Sequence, residues 1–222
     1  MFAVDLHLHT RPFHNPRGAP TAFDPYGARL MAASARNRGI DGLALTNHNY
    51  RVPYLNDDPL FVPGIEVTTR NGHVLVVGPD PPDRTYGDRS SPAAVVEDAH
   101  DRGCAAVIAH PFRNSTVADV DAPFDAVEVN GKHPERRAEI ERIADEREIP
   151  VVGGSDAHFP FELGRVHTLV YADDLTPESV VDAIRDGRVE PRRQTYLTDR
   201  LLLPMYDAIH GARDALQRAV PG

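Results

Sequence analysis

The chain has 222 residues, 41% hydrophobic and 26% charged, with 24 basic against 33 acidic side chains and a net charge of −9. This is the composition of an ordinary folded domain, long enough for one sizeable core and an appendage. The acidic balance argues against an extended nucleic-acid surface held by bulk charge and leaves small or terminal phosphates open. No apolar run approaches the roughly 18 residues of a membrane span. Met1 leads directly into Phe2-Ala3-Val4-Asp5 with no basic stretch or cleavage site, and the single cysteine, Cys104, has no intrachain partner. The expectation is a reducing, cytoplasmic setting away from membranes. Lys132 is the one lysine beside 23 arginines, and aspartate outnumbers glutamate 22 to 11, a skew expected of a salt-adapted or GC-rich source.

Short β-branched runs alternate with helical stretches. Phe2 to Leu8 reads as a strand, Pro25 to Arg38 as a helix stopped by Gly39, and Asp41 to Thr46 as a second strand. Leu60 to Val67 and His73 to Val77 read as a hairpin turned at Asn71-Gly72. After a Pro/Asp/Gly-rich loop from Gly78, a candidate lid, Ser91-Pro92 opens a helix that ends near Gly103. Cys104 to Ala109 and Ala126 to Val129 are strands, His133 to Arg147 is a charged helix, and Ile149 to Val152 is a strand running into Gly153-Gly154. Val166 to Tyr171 is the last expected strand, Thr176-Pro177 caps a helix to Asp186, and a helix from Leu203 to Val220 closes the chain. Residues 1–195 are expected to form one barrel domain and 196–222 a helical extension.

Strand-helix alternation fits either an α/β barrel or a doubly wound sheet. The polar residues decide between them. His7 and His9, His48, Glu66, His110, Glu128, Asp156 and His158 sit at or just past expected strand ends, and such residues converge on one point when the strands close into a barrel. Alternation also turns His7 and His9 to the same side, as two ligands of one ion require.

Asp5-Leu6-His7-Leu8-His9-Thr10, Thr46-Asn47-His48, Pro63-Gly64-Ile65-Glu66-Val67, Ala109-His110-Pro111 and Ser155-Asp156-Ala157-His158 resemble, in order, the motifs of the polymerase and histidinol phosphatase (PHP) superfamily. The resemblance implies an α/β fold, a distorted (β/α)7-type TIM-like barrel, with up to three divalent ions (Zn, Mn or Fe) at the C-terminal ends of the strands. It implies that His7, His9, Glu66 and Asp156 hold one ion, that Glu66 bridges to a second held by His73 and His110, and that His14, His48 and His158 hold a third. Asn47 departs from the family's usual aspartate, a change expected to alter how His48 is oriented without removing it. Glu128-Val129-Asn130 reads as a polar wall behind the ligands. His100, His133, His167 and His210 read as ordinary surface or structural histidines.

The chemistry so implied is phosphate-ester hydrolysis by a metal-activated hydroxide, with Asp156, His158 and His48 among the reacting groups. The substrate would be a nucleotide, an oligonucleotide end or a small phosphorylated metabolite. Arginine offers planar paired donors to phosphate; Arg11 and Arg113 are the leading candidates, with Arg17, Arg70 and Arg165 also near strand ends. Two rivals remain open. A metal-dependent amidohydrolase also begins with His-x-His and often uses a carboxylated lysine as bridge, for which Lys132 is available. A non-catalytic PHP module is the other.

Overall fold

The computed structural model describes residues 1–12, 18–54, 56–85 and 90–196. In chain order the elements are β1 (Phe2–Leu8), α1 (Asp24–Arg38), β2 (Gly42–Leu45), β3 (Leu60–Thr69), β4 (Gly72–Val77), α2 (Pro92–Asp101), β5 (Ala105–Ile108), β6 (Ala126–Asn130), α3 (Arg137–Arg147), β7 (Val151–Gly154), β8 (Val166–Val170), α4 (Pro177–Arg185) and β9 (Val189–Arg193). The helix boundaries follow local chemistry. Gly39 ends α1 in the left-handed conformation at φ 67°, where glycine has no Cβ to clash. Thr176 and Ser179 cap α4 reciprocally, each side chain bonded to the other's backbone N–H.

The nine strands form one sheet in the order β7-β6-β5-β4-β3-β2-β1-β8-β9. Pairs β1–β2, β2–β3, β5–β6 and β6–β7 are parallel. Pairs β3–β4, β4–β5, β1–β8 and β8–β9 are antiparallel. The sheet curls until the far end of β7 meets β1, where Asp156 N–H donates to the His7 carbonyl (2.7 Å) and His9 N–H to the Ala157 carbonyl (2.8 Å). The result is a nearly closed barrel, as expected, with two strands more than seven. β9 escaped the sequence reading because Pro191 interrupts its pattern, and proline fits a strand that is paired on one side. The expected helix from His133 is split as well. His133 folds back on Asn130, a short 3-10 turn covers Pro134–Arg136, and α3 begins after it.

The barrel interior is layered. Val4 and Leu6 of β1, Val62 of β3, Leu75 and Val77 of β4, Val107 of β5, Ala126 of β6 and Val152 of β7 form one buried cluster with Val180, Val181 and Ile184 of α4. Helix α4 therefore plugs one end of the barrel. A second layer buries the outer face of β3 to β6 against α2 and α3, and a third packs α1 on β1 and β2. Because side chains alternate along a strand, Glu66 continues the interior stripe of Val62, His73 that of Leu75 and Val77, and Glu128 that of Ala126. The polar residues occupy the end opposite α4.

In β1 the alternation is interrupted. Its register with β2 shifts between Asp5 and Leu8, and Leu8 packs in the α1 layer whereas Val4 and Leu6 lie in the interior. Such a bulge re-aims the side chains beyond it, and here it turns His7 and His9 inward. Closure rests on Asp5, whose carboxylate accepts from Ser155 N–H (2.9 Å) and Gly164 N–H (2.9 Å). Burial pushes this carboxyl up, against those hydrogen bonds.

Gly153 and Gly154 make the seam possible. A Cβ on Gly153 would lie 2.5 Å from the His167 carbonyl oxygen, and one on Gly154 would lie 2.5 Å from His7 Cβ. Gly153→Ala is expected to destabilise the protein by roughly 1–3 kcal/mol, since the first obstacle is backbone that cannot rotate away. Urea denaturation checks this, and an unchanged midpoint would mean that β7 is not held against β8.

Candidate metal centre

Glu66 is fully buried and sits among five histidines. Its Oε2 lies 3.4 Å from His7 Nε2, 3.4 Å from His9 Nε2 and 2.9 Å from His48 Nδ1. Its Oε1 lies 2.6 Å from His73 Nδ1 and 3.0 Å from His110 Nε2. The two oxygens thus face two different sets of imidazoles. These side chains come from the end of β1, the loop after β2, the interior of β3, the start of β4 and the end of β5. His73 opens its strand because β4 runs antiparallel, which brings its first residues to the same rim as the last residues of its neighbours.

Asp156 closes another side of the cluster, with Oδ1 at 3.3 Å from His9 Nε2 and 3.8 Å from His7 Nε2. His158 follows two residues later, and its ring centroid lies 4.2 Å from that of His9. Groups close enough to share an ion are His7-His9-Glu66, His48-Glu66-His73, His7-His110-Asp156 and His9-His48-His158. All the expected ligands on described residues are therefore brought together. His14 and Arg17 lie outside the described residues, as do His210, residues 86–89 of the candidate lid and residues 197–222 of the expected extension. Thr85 of that loop packs on the loop after β2, its hydroxyl donating to Asn49 Oδ1 at 2.8 Å.

The donor set fits divalent cations. His7 Nε2, His9 Nε2 and Glu66 Oε2 are buried and make no hydrogen bond, which is costly unless another partner is bound. His7 Nδ1 is 2.8 Å from Glu128 Oε1, so its proton is directed to that carboxylate and the Nε2 lone pair faces the cluster. Glu128 also accepts from His110 N–H (2.9 Å) and Asn130 (3.2 Å), and so forms the expected polar wall. Imidazole and carboxylate together suit Zn, Mn or Fe.

The electrostatics also call for positive charge. Burial alone would raise Glu66, yet His48, His73 and His7 hold it well below the usual carboxylate range. Burial likewise opposes charge on Asp156, and Lys132, His7 and His9 outweigh it, holding that carboxyl low. Burial would lower His7, but Glu128, Glu66 and Asp156 raise it well above the ordinary imidazole value. His9 goes the other way, depressed by burial and by His158. Burial and the Lys132 ammonium push His158 down to about 3, so it offers a lone pair, not a proton.

Backbone strain concentrates here. His110 and Asp156 adopt φ of 26° and 52°, conformations that cost on the order of 1–3 kcal/mol and persist where the surroundings impose them. Two cations contact Asp156. Arg113 Nη1 is 3.2 Å from Oδ2, and Lys132 Nζ is 3.5 Å from Oδ1 and 3.2 Å from His158 Nδ1. Arg11 is engaged elsewhere, 3.6 Å from Asp24 and over the Tyr50 ring. Arg165 lies over Phe161.

Some roles were not legible in the sequence. Lys132 is one, although its being the sole lysine just past a strand end was a usable signal. Buried Glu162, which accepts from His158 N–H (2.8 Å) and Phe159 N–H (3.0 Å), carried none. Asn47 bonds to Thr10, Asp24 and Tyr50, and its NH2 supplies a donor to buried Asp24 where an aspartate would bring a second negative charge. His100 pairs with Asp125, His133 with Glu135, and His167 with the Gly164 carbonyl, all outside the cluster as expected.

Fold and site together define a nearly closed α/β barrel with a candidate polynuclear metal centre. Residues 134–189 match the model of the PHP-associated family. PsfC from Pseudomonas syringae superposes with a TM-score of 0.69 at 18% identity over 95% of this chain and 98% of that one. A two-domain protein from Bacteroides vulgatus containing a predicted PHP-like metal-dependent phosphoesterase gives 0.62 at 18% identity, covering 87% of this chain and 65% of its own. The lesion-specific endonuclease PfuEndoQ from Pyrococcus furiosus gives 0.57 at 18%, covering 86% and 57%. No curated protein matches by sequence. The family match covers residues 134–189, and the likeness to the solved structures is one of fold. Among the described residues no helix is long and apolar enough to cross a membrane.

Glu128→Gln is expected to weaken metal binding about tenfold, because the charge that directs the His7 proton is lost. Titration of the metal-free protein with Mn or Zn measures this, and unchanged affinity would remove Glu128 from the site.

Proposed function

We propose that the protein is a metal-dependent phosphoesterase acting on a nucleotide, an oligonucleotide end or another small phosphorylated compound. The observation that carries this is the two-sided Glu66, with His7, His9 and His48 about one oxygen and His73 and His110 about the other. A carboxylate so shared is suited to bridging two cations. In this reading His7, His9, Glu66 and Asp156 hold one ion, Glu66, His73 and His110 a second, and His48 and His158, with His14, a third. Bound ions would neutralise phosphate oxygens and lower the pKa of water, which is the chemistry hydrolysis needs at neutral pH.

The chain's own groups orient the substrate. Arg113 and Lys132 approach the two oxygens of Asp156, and a cation shared with a carboxylate can turn to phosphate once that carboxylate is engaged by metal. Arg11, with its side chain on Asp24, would reach the ester only after leaving that partner. The buried floor of the site limits water to the open rim. The Bacteroides and Pyrococcus structures bear names of phosphoester chemistry, which agrees with the reading. The amidohydrolase alternative would use Lys132 as the bridge, whereas the central position is held by Glu66 and the Lys132 ammonium pairs with Asp156 and His158.

The test is hydrolysis of nitrophenyl phosphate against bis-nitrophenyl phosphate by manganese-loaded protein. One ester is expected to turn over. Asp156→Ala and His9→Ala should each reduce the rate by more than the roughly 10- to 100-fold typical of losing a group behind a ligand, and lower metal content, with circular dichroism unchanged. Full activity in both variants, or an inert but fully metallated protein, would overturn the assignment. Lys132→Ala should keep its metal content; loss of metal there would favour the amidohydrolase.

A further inference from the structure

Two turns flank the cluster and are built alike. After β5, Arg113 N–H bonds to the His110 carbonyl at 3.0 Å, closing the turn His110-Pro111-Phe112-Arg113. After β6, His133 N–H bonds to the Asn130 carbonyl at 3.1 Å, closing Asn130-Gly131-Lys132-His133. Each turn sends one cation to Asp156, Arg113 from the first and Lys132 from the second. A shallow groove, with room for about one water, lies between them, bounded by His110, Phe112, Arg113, His133 and Arg136.

Phe112 is the unexpected residue in this groove. His110, two residues before it, reaches Glu66, and Arg113, next to it, reaches Asp156, yet Phe112 remains 42% exposed. The Arg136 guanidinium lies 5.2 Å from the centre of its ring and is steered there by Glu139 at 2.8 Å. A ring and a guanidinium held together at the mouth of an anion site form a platform for a flat π-system.

We propose that Phe112 and Arg136 form a subsite for the nucleobase of a nucleoside phosphate whose phosphate is taken by the metal cluster and Arg113; this rests on the phosphoesterase reading. An aliphatic leaving group would gain little from such a platform, whereas a base gains stacking area on Phe112 and charge from Arg136. The platform recognises the face of the base, which all bases share, and so is expected to discriminate weakly among them.

The measurement compares kcat/KM for adenosine 5′-monophosphate and ribose 5-phosphate with manganese-loaded protein. The two esters release the same kind of primary alcohol, so the base is the difference that matters. Wild type is expected to prefer the nucleotide about tenfold, the scale of one base stacked on an aromatic ring. Phe112→Ala should erase that preference through KM while leaving ribose 5-phosphate unchanged, Phe112→Tyr should retain it, and Arg136→Ala should reduce it. Turnover with no preference, or a preference that survives Phe112→Ala, overturns the subsite and leaves the phosphoesterase reading standing.

Binding of the 5′-monophosphate of 2-aminopurine riboside, followed by quenching of its fluorescence, gives a readout independent of turnover. If neither ester is hydrolysed, the phosphoesterase reading fails on these substrates. The subsite then stands if Phe112→Ala weakens this binding about tenfold, and falls if it does not.

Discussion

A carboxylate buried among five imidazoles is the constraint on which this molecule turns. Glu66 cannot be solvated where it lies, and the cost of holding its charge there is several kcal/mol unless positive groups surround it. The histidines meet that demand in part, by hydrogen bonding and because, against the effect of burial, the surrounding carboxylates raise His7 and His73 above the ordinary imidazole value. A divalent cation meets it more completely, because it satisfies the lone pairs of His7, His9 and Glu66 together.

The fold is arranged to keep that arrangement fixed. The aliphatic interior and α4 give the barrel a solid end, so the polar residues collect at the other. Closure at Gly153-Gly154, with Asp5 binding the far side of the seam, puts Asp156 within reach of His9. The strained backbones of His110 and Asp156 are affordable because hydrogen bonds on both sides hold them: His110 N–H on Glu128 and Asp156 N–H on the His7 carbonyl. Backbone hydrogen bonds and the Glu128 carboxylate thus fix where the His110 and Asp156 side chains point.

The rim differs from the centre in character. The centre is acidic and imidazole-rich, which suits cations. Around Asp156 the rim carries Arg113 and Lys132, which suit the anion those cations would attract. Under the proposed phosphoesterase function an acidic chain would accept a phosphate here because the local charge, not the total of −9, sets the field at a few ångströms.

Alternation of apolar runs with helical stretches was enough to define an α/β chain, and the ordered His, Glu and Asp motifs were enough to name most of the cluster. Those are local signals: each depends on a few neighbouring residues and survives without tertiary contacts. The hairpin reading of β3 and β4 already carried the antiparallel course that brings His73 to the rim. Two things were decided by the fold alone. The bulge in β1 turns His7 and His9 away from the face that plain alternation with Val4 and Leu6 would give. Strand β9 pairs despite Pro191, because its partner β8 asks for hydrogen bonds on one side. Phe112 and Arg136 were likewise unreadable as site residues, and Lys132 was legible only as a candidate bridge, since their meaning depends on two turns, distant in sequence, that meet across Asp156. Sequence determines which chemistry each strand end carries; closure of the barrel determines which of those ends face one another.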